Sequence, residues 1–436
     1  MTPQEPTYKL RCIESGDTYP GNEIRYRSEK GGLLEAQHDF SKLSITRQLL
    51  DERFHSQEFP YRSGVWRYHE FVLPVAKEHI ITRYEGNTNL YPVGSENARE
   101  RNYSTIVGDF AGARNLYLKH LGENPTGSFK DLGMTAGITQ AKALGCKAVA
   151  CASTGNTSAA LASYASLAGM QSYVFIPEGN IAYGKLSQAL AYGSKTIQIK
   201  GDFDDAMRLV QEICREEHIY LLNSINPFRL EGQKTVAFEI IQQLGWNPPD
   251  WIVVPAGNLG NTSAIWKGLR EFHQLGFINK IPRIASIQAA GSNPFYQSYK
   301  NNFSTFEAVK ADTIASAIKI GNPVSIPKAI DAIRKSNGVV EQVTDQEIMD
   351  AKAKIDALGI GCEPASACAV AGTKKLIEQG IIGKDEVVVG ILTGNILKDP
   401  DATVNYHLGK LSEIKGTFAN QPVQTDATVE SIKKYL

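Results

Sequence analysis

The 436 residues are enough for two or more domains, and the hydrophobic share of 42% and charged share of 21% are typical of globular proteins. The 46 basic and 46 acidic residues cancel, so the charge gives no reason to expect nucleic acid or an anionic membrane as the main partner. No apolar run reaches the roughly 18 residues of a membrane span, and no signal pattern opens the chain.

The six cysteines form no C-x-x-C pair, and the eight histidines show no ligand spacing. We therefore expect a cytoplasmic protein with reduced thiols and without a metal site. Residues 1–84 are polar with little periodicity, and we interpret them as an irregular extension that wraps the body or a partner subunit. The residues after Asp399 are also polar and end in a short helical run, so we expect a peripheral tail.

From Tyr117 onward, short apolar runs alternate with helical ones, which indicates an α/β protein with parallel sheets covered on both faces. The predicted strands are Ala148–Ala152, Gln171–Ile176, Lys195–Lys200, Trp251–Pro255, Arg283–Gln288 and Val387–Leu392. The predicted helices are Leu132–Leu144, Ser158–Ala168, Gly184–Ala191, Asp204–Glu217, Thr235–Leu244 and Thr262–His273. In such folds ligands bind at the carboxyl ends of the strands.

One lysine, Lys130, follows the Pro/Gly turn of Asn124-Pro-Thr-Gly-Ser-Phe-Lys-Asp131 and opens an apolar helical stretch. A helix dipole and partial desolvation both oppose the positive charge there, so the amine can be neutral and attack a carbonyl. The alternative is a surface lysine beside a helix-capping serine, Ser128.

Two loops join a predicted strand to a predicted helix. Ser153-Thr-Gly-Asn-Thr157 offers hydroxyls, an amide and helix-start N–H groups to a carboxylate, although the same residue types serve as plain helix caps. Gly257-Asn-Leu-Gly-Asn261 allows backbone N–H groups to converge on a phosphate, or forms a tight turn without a ligand. It matches neither the G-x-G-x-x-G nor the P-loop pattern, so an ordinary nucleotide-binding module is not supported.

Two further segments carry polar side chains. Thr393 ends the strand Val387–Leu392, where its hydroxyl could bond a heterocyclic nitrogen or cap the next turn. The turn-rich run Asn223-Ser-Ile-Asn-Pro-Phe-Arg229 could hold a phosphate or a carboxylate through its arginine, or form a solvated loop.

Four of these segments, in their order and spacing, resemble motifs of the fold-type II pyridoxal-phosphate enzymes, and within them the threonine synthase family. They are the run that ends at Lys130 and Asp131, the loop Ser153–Thr157, the loop Gly257–Asn261 and the segment that begins at Thr393. The resemblance covers residues 84–399 and includes Leu397-Lys-Asp399. It implies two doubly wound parallel-sheet domains, an N-terminal extension and a C-terminal tail. Residues 85–142 and 232–400 would form the large cofactor-binding domain, 143–231 a small mobile domain and 401–436 the tail.

The resemblance also implies residue roles. Lys130 would form the imine with pyridoxal 5′-phosphate, Asn156 would contact the ring 3′-oxygen, and Thr393 would partner the pyridine nitrogen. The cofactor phosphate would be held by Gly257, Asn258, Leu259, Gly260 and Asn261. The substrate carboxylate would be bound by Ser153, Thr154 and Thr157, and the substrate phosphate by Asn223, Ser224 and Arg229.

The family converts O-phospho-L-homoserine and water into L-threonine and phosphate, and its members are dimers, so we expect a homodimer acting on this small substrate. The chain departs from the family pattern at Asn395 and Ile396, which stand where His-Gly is usual. Relatives often carry paired cysteines that resemble a zinc site. Here Cys12 has Ser15 in place of a partner, so we predict no zinc.

Two alternatives remain in view. A serine/threonine dehydratase or another β-replacement enzyme on the same fold would more often have His where Thr157 stands, and Ser or Cys where Thr393 stands. A catalytically silent cofactor-binding protein would typically have lost the lysine, whereas Lys130 is present.

Overall fold

The computed structural model describes residues 8–41, 43–178, 183–201 and 203–436, whose strands form three sheets. The strands are β1 Tyr8–Cys12, β2 Thr18–Pro20, β3 Leu34–His38, β4 Leu90–Pro92, β5 Asn115–His120, β6 Ala148–Ala152, β7 Gln171–Pro177, β8 Lys195–Ile199, β9 Tyr220–Leu221, β10 Trp251–Pro255, β11 Arg283–Ala289, β12 Val339–Val343 and β13 Val387–Leu392. The alternation of strands and helices confirms the predicted α/β class.

The α-helices occupy the intervals between the strands and both ends of the body. They are α1 Arg47–His55, α2 His69–Val72, α3 Ile106–Ala111, α4 Lys130–Ala143, α5 Asn156–Ala168, α6 Tyr183–Ala191, α7 Phe203–Glu216, α8 Pro227–Gln233, α9 Thr235–Gln243, α10 Gly260–Gln274, α11 Pro294–Lys300, α12 Ile326–Lys335, α13 Asp345–Ala357, α14 Pro364–Glu378, α15 Pro400–His407 and α16 Val429–Lys433. None of the helices in the described ranges is long and apolar enough to cross a membrane.

A six-stranded sheet in the order β12-β11-β10-β13-β5-β4 forms the larger platform. All its pairs are parallel except β4 with β5, so the carboxyl ends of β10, β13 and β5 lie at one edge. Separate clusters of buried apolar side chains pack on its two faces. Because both faces are covered, β10 and β13 are apolar throughout, and the predicted bounds of β10, β11 and β13 agree with the structure within one residue.

A second, four-stranded sheet has the order β8-β7-β6-β9 and is parallel throughout. Its strands all lie between residues 148 and 221. The strand bounds agree with the prediction within one residue, but α5 and α10 begin two residues earlier than predicted. Both helices start inside the polar loops that the sequence pattern had treated as turns, so the functional loops are also the first turns of helices.

The N-terminal segment is ordered, so the prediction of an irregular extension is wrong for its first thirty described residues. Strand β1 pairs antiparallel with β2 and β3. Its side chains alternate between buried and accessible, since Tyr8, Leu10 and Cys12 face the core while Lys9 does not. This period of two is the signal of a half-buried strand, and five residues were too short a run for it to stand out.

Aromatic side chains join the N-terminal segment to the body. Phe71 packs edge-on against Phe238 of α9 at 5.5 Å, and Phe238 stacks on Phe272 of α10 at 4.0 Å. All three rings are fully buried. The contacts therefore make residues before Ile80 part of the core.

A buried carboxylate joins the same two parts. Glu239 of α9 forms an ion pair with Arg67 at 3.0 Å and another with Lys119 of β5 at 2.6 Å. All three side chains are at most 3% exposed. Because one anion serves two cations in a low-dielectric interior, removing it leaves two charges without their counter-ion.

We predict that Glu239→Ala lowers the free energy of unfolding by about 3–5 kcal/mol, the usual cost of breaking a buried ion pair by removing one partner. The measurement is urea denaturation of the cofactor-free protein. The control is Glu378→Ala, which breaks the exposed i,i+4 pair with Lys374 and should cost about 0.3–0.5 kcal/mol. Equal small losses in both variants would contradict the assigned role.

Candidate active site

The predicted motifs meet at the carboxyl edges of the two sheets. The backbone N–H of Phe129, just before α4, donates to the carbonyl of Thr393 at 2.9 Å, and Ser128 forms a β-bridge with Gly394. Asn156, at the start of α5, donates to Glu363 at 3.1 Å. Loops that are far apart in sequence thus form one site.

Lys130 is the first residue of α4. Its side chain keeps some accessible surface, but its amine is surrounded by protein. Desolvation, and then the positive charge of Arg229, lower the pKa of Lys130 from 10.5 to about 7, while Glu363 acts in the opposite direction. A lysine with this pKa is largely neutral just above pH 7, so the expectation of a nucleophilic amine fits and the surface-lysine alternative does not.

Close packing of α8 on α4 places Arg229 where its charge acts on the amine of Lys130. Arg229 lies on α8, a helix in place of the solvated loop that was one reading of this segment. A Cβ atom at Gly232 of α8 would lie 1.8 Å from the carbonyl oxygen of Leu132 on α4, so only glycine allows this approach. Proline at the first position of α8 and a side-chain cap by Asn226 start the helix.

The guanidinium of Arg229 suits an anion. The side chain is only 3% exposed, and one of its nitrogens donates to the carbonyl of Leu222 at 3.1 Å. Its Nε has no hydrogen-bond partner in the protein, and burial lowers the pKa of Arg229 to about 10. A buried cation with an unused donor is stabilised when a phosphate or carboxylate binds to it.

The predicted phosphate loop, Gly257–Asn261, joins β10 to α10. Leu259 precedes the helix with φ +62 and caps it without a side-chain bond. The side chain of Asn261 is 6% exposed, and neither its Oδ1 nor its Nδ2 has a partner. These unpaired groups at the start of a 15-residue helix fit the phosphate of the implied cofactor.

The side chain of Asn258, within that loop, forms hydrogen bonds to other parts of the protein. Its Nδ2 donates to Ser224 Oγ at 2.7 Å, and its Oδ1 accepts from the backbone N–H of Val324 at 2.6 Å. Asn258 therefore connects the phosphate loop to the segment of Ser224, and it can offer an anion its backbone N–H and the second hydrogen of Nδ2.

The carboxylate loop leads from β6 into α5. Gly155 caps the helix without a side-chain bond, while Ser153 Oγ accepts the Gly155 N–H at 3.2 Å. Thr154 and Thr157 are half-buried beside it. Helix-start N–H groups and two hydroxyls together suit a small anion.

Asn223, predicted to contact the substrate phosphate, bonds to the backbone of the neighbouring strand. Its Oδ1 accepts the Ala152 N–H at 2.9 Å and its Nδ2 donates to the Ala152 carbonyl at 3.0 Å. The amide thus fixes the end of β6, so Asn223 positions the carboxylate loop from behind.

A residue that sequence reasoning missed, Glu363, stands between two predicted ones. It is 3% exposed and accepts from Asn156 at 3.1 Å and from Thr393 at 3.1 Å. Burial raises the pKa of Glu363 above its usual value. An acidic residue before a proline at a helix start is too common a pattern to have identified it.

The departure at Asn395 leaves the turn intact. Its Oδ1 accepts the Leu397 N–H at 3.0 Å, and its own N–H donates to the Gly127 carbonyl at 2.9 Å. Asn395 thus caps the short helix Ile396–Lys398 and holds the loop of Thr393 against the turn before Lys130.

Comparisons with known proteins agree with this geometry. The family model described as "Pyridoxal-phosphate dependent enzyme" matches residues 82–394. A threonine synthase of Methanocaldococcus jannaschii is 50% identical over 429 residues, 98% of each chain. Threonine synthase 2, chloroplastic, of Arabidopsis thaliana is 41% identical over 97% of this chain and 83% of its own.

Among solved structures, threonine synthase from Escherichia coli superposes with a TM-score of 0.68 at 18% identity, over 98% of this chain and 99% of that one. Maize serine racemase gives a TM-score of 0.62 at 22% identity, over 76% of this chain and 95% of that one. At these identities the likeness concerns the fold, and it confirms the predicted fold-type II architecture.

We predict that Lys130→Met stabilises the cofactor-free protein, most strongly near pH 7. An unfolded lysine titrates near pH 10.5 and Lys130 near 7, so between these values the unfolded state holds the extra proton. Wild-type stability therefore rises with pH across this window, and the advantage of the variant shrinks toward about pH 10.

Thermal unfolding at several pH values between about 7 and 10 measures this difference. Lys142→Met, in the last turn of the same helix, is the matched control. A stability difference that does not change with pH would show that the amine of Lys130 is not desolvated.

Proposed function

We propose that this chain, which belongs to the threonine synthase family of pyridoxal-phosphate-dependent enzymes, converts O-phospho-L-homoserine and water into L-threonine and phosphate. It is accordingly a pyridoxal-phosphate-dependent lyase. The observation that carries the proposal beyond the family is the electrostatic influence of Arg229 on Lys130. The charge of Arg229, a buried guanidinium with an unused donor, helps to lower the pKa of the Lys130 amine to about 7.

The protein side of the cofactor site would be made by three groups of residues. Lys130 would hold it covalently, the loop Gly257–Asn261 would bind its phosphate, and Asn156 with Thr393 would bind its ring. When bound, pyridoxal phosphate supplies an electron sink that stabilises negative charge on the substrate carbons.

Lys130 would act as the base. With substrate in the site, the amine of Lys130 would be available as a base that is largely neutral above pH 7. We assign to it removal of the proton at Cα and then of a proton at Cβ, with later return of protons to carbon. Phosphate leaves from Cγ, and water adds at Cβ. A pKa near 7 suits both directions of transfer, because neither protonation state is strongly favoured.

The substrate would be held at its two anionic ends. Arg229 would bind the phosphate, with Ser224 nearby on the preceding turn. The start of α5, with Ser153, Thr154 and Thr157, would bind the carboxylate. Fixing both ends places Cα and Cβ within reach of one base, which is how binding energy becomes orientation.

We further propose a cytoplasmic homodimer in which residues 143–231 form a small domain that moves relative to the large one. The support is the resemblance to the family, together with the separate sheet that β6 to β9 form. Sedimentation of the holoenzyme tests the dimer.

The direct test of the reaction is to incubate the purified protein with pyridoxal phosphate and O-phospho-L-homoserine and to assay threonine and inorganic phosphate together. Equimolar appearance of both supports the proposal. Ammonia and a 2-oxo acid from serine or threonine, without threonine formation, would move the assignment to a dehydratase.

We predict that Lys130→Ala loses both turnover and the visible absorbance of the bound cofactor, because the variant removes the amine that would form the imine and act as the base. Absorbance is read after exhaustive removal of free cofactor, and Lys142→Ala on the same helix is the control. Retention of the visible band in Lys130→Ala would assign the linkage to another residue.

We predict that Arg229→Gln raises the substrate KM by roughly 10- to 100-fold, the range for losing one charge-assisted hydrogen bond, and changes cofactor affinity much less. It should also shift the acid limb of the pH–rate profile upward, because the charge of Arg229 helps to lower the pKa of Lys130. An unchanged KM would remove Arg229 from the substrate site.

A further inference from the structure

A chain of hydrogen bonds behind Thr393 fixes the direction of its hydroxyl. Ser366 Oγ accepts the backbone N–H groups of Thr393 at 2.8 Å and Gly394 at 3.0 Å. A serine oxygen that accepts two bonds has only its own proton left to give. The nearer acceptor for that proton is Thr393 Oγ1 at 3.0 Å, since the Gly394 carbonyl lies at 3.4 Å.

Thr393 passes its own proton onward. A hydroxyl has one proton, and Thr393 Oγ1 donates it to Glu363 Oε1 at 3.1 Å. Because it also accepts from Ser366, the oxygen of Thr393 is left with one lone pair and no proton. A third partner can therefore bond to Thr393 only as a donor.

Glu363 is held firmly enough to set this direction. Its second oxygen accepts from Asn156 Nδ2 at 3.1 Å, and its backbone N–H donates to the Gly394 carbonyl at 3.0 Å. A Cβ atom at residue 394 would lie 2.4 Å from the carboxylate carbon, so glycine is required beside it.

The charges that face Glu363 come from two elements. Lys130 of α4 and Lys398 of the helix Ile396–Lys398 favour the ionised carboxylate, while burial opposes it. Its neighbour Cys362 is also buried, and burial holds the pKa of that thiol well above its usual value. Two donors, Asn156 and Thr393, bond to the carboxylate oxygens, which is the arrangement that an anion satisfies best.

We propose that Glu363 is a positioning residue that, together with Ser366, makes Thr393 a hydrogen-bond acceptor, so that the site takes the pyridine nitrogen of the cofactor in its protonated form. The inference rests on the proposed function, in which Thr393 partners that nitrogen. A protonated pyridine withdraws electrons more strongly than a neutral one, which assists a base that must remove protons from two successive carbons.

The test uses the holoenzyme reconstituted with pyridoxal phosphate labelled with ¹⁵N in its ring. The ¹⁵N chemical shift reports whether the nitrogen carries a proton, and a purely structural role of Glu363 would not move it. We expect the shift of a protonated nitrogen in the wild type near neutral pH. Because this measurement needs no variant, it does not depend on how well any variant folds.

Glu363→Gln is the informative variant. Glutamine has one acceptor oxygen for the two donors Asn156 and Thr393, and its amide can donate to Thr393 and release the threonine proton. We expect the ring-nitrogen signal to move toward the unprotonated position and kcat to fall roughly tenfold or more, with a smaller change in KM. The control is Glu378→Gln at the exposed end of the same helix, α14, which should leave both readouts unchanged.

An unprotonated nitrogen in the wild type, or a signal that Glu363→Gln leaves in place, would overturn the inference while leaving the reaction intact. Failure of the proposed function has a different signature, because O-phospho-L-homoserine would then yield no threonine and phosphate while the ring-nitrogen signal is unaffected. Identical spectra of the labelled cofactor with wild type and with Lys130→Ala would show that the cofactor is not bound at Lys130, and would overturn both.

Discussion

Two desolvated basic groups that influence each other electrostatically, Lys130 and Arg229, set the constraint on which this site depends. Neither forms an ion pair with a carboxylate among the described contacts, and desolvation lowers the pKa of each. The protein resolves the conflict by leaving Lys130 largely neutral and Arg229 charged. A site in this state favours anions, and it holds an amine ready for proton transfer without a separate activating base.

Backbone contacts between neighbouring elements position Lys130 and Arg229. Lys130 reaches the edge of the six-stranded sheet because the turn before α4 is bonded to the end of β13, and Arg229 reaches Lys130 because Gly232 lets α8 lie against α4. Behind Thr393, Ser366 and Glu363 use up the hydroxyl's donor and acceptor capacity in a defined direction. The reactive groups are thereby oriented by main-chain contacts and buried side chains rather than by the mobile ends of surface residues.

The sequence predicted what depends on local pattern and missed what depends on tertiary contacts. Buried parallel strands such as Trp251–Pro255 were readable because they are apolar throughout. The helix Pro227–Gln233 was missed because Pro, Gly and Asn suggest turns, although Asn226 followed by proline is also a helix-start signal. Glu363 became a candidate only when the fold brought it between Asn156 and Thr393, which lie 207 and 30 residues away from it in the chain. The bonds of Asn223 to the backbone of Ala152 also depend on the fold and could not be read from the sequence, while its substrate role stays a prediction.

The central claim is that desolvation makes Lys130 a neutral amine at physiological pH, and its pKa can be measured directly. The cofactor-free protein would be labelled with ¹⁵N at the lysine side-chain nitrogens, and the signal absent from Lys130→Met would be titrated. The account predicts a midpoint near the value of about 7. A midpoint near 10.5, the value of an ordinary lysine, would contradict it.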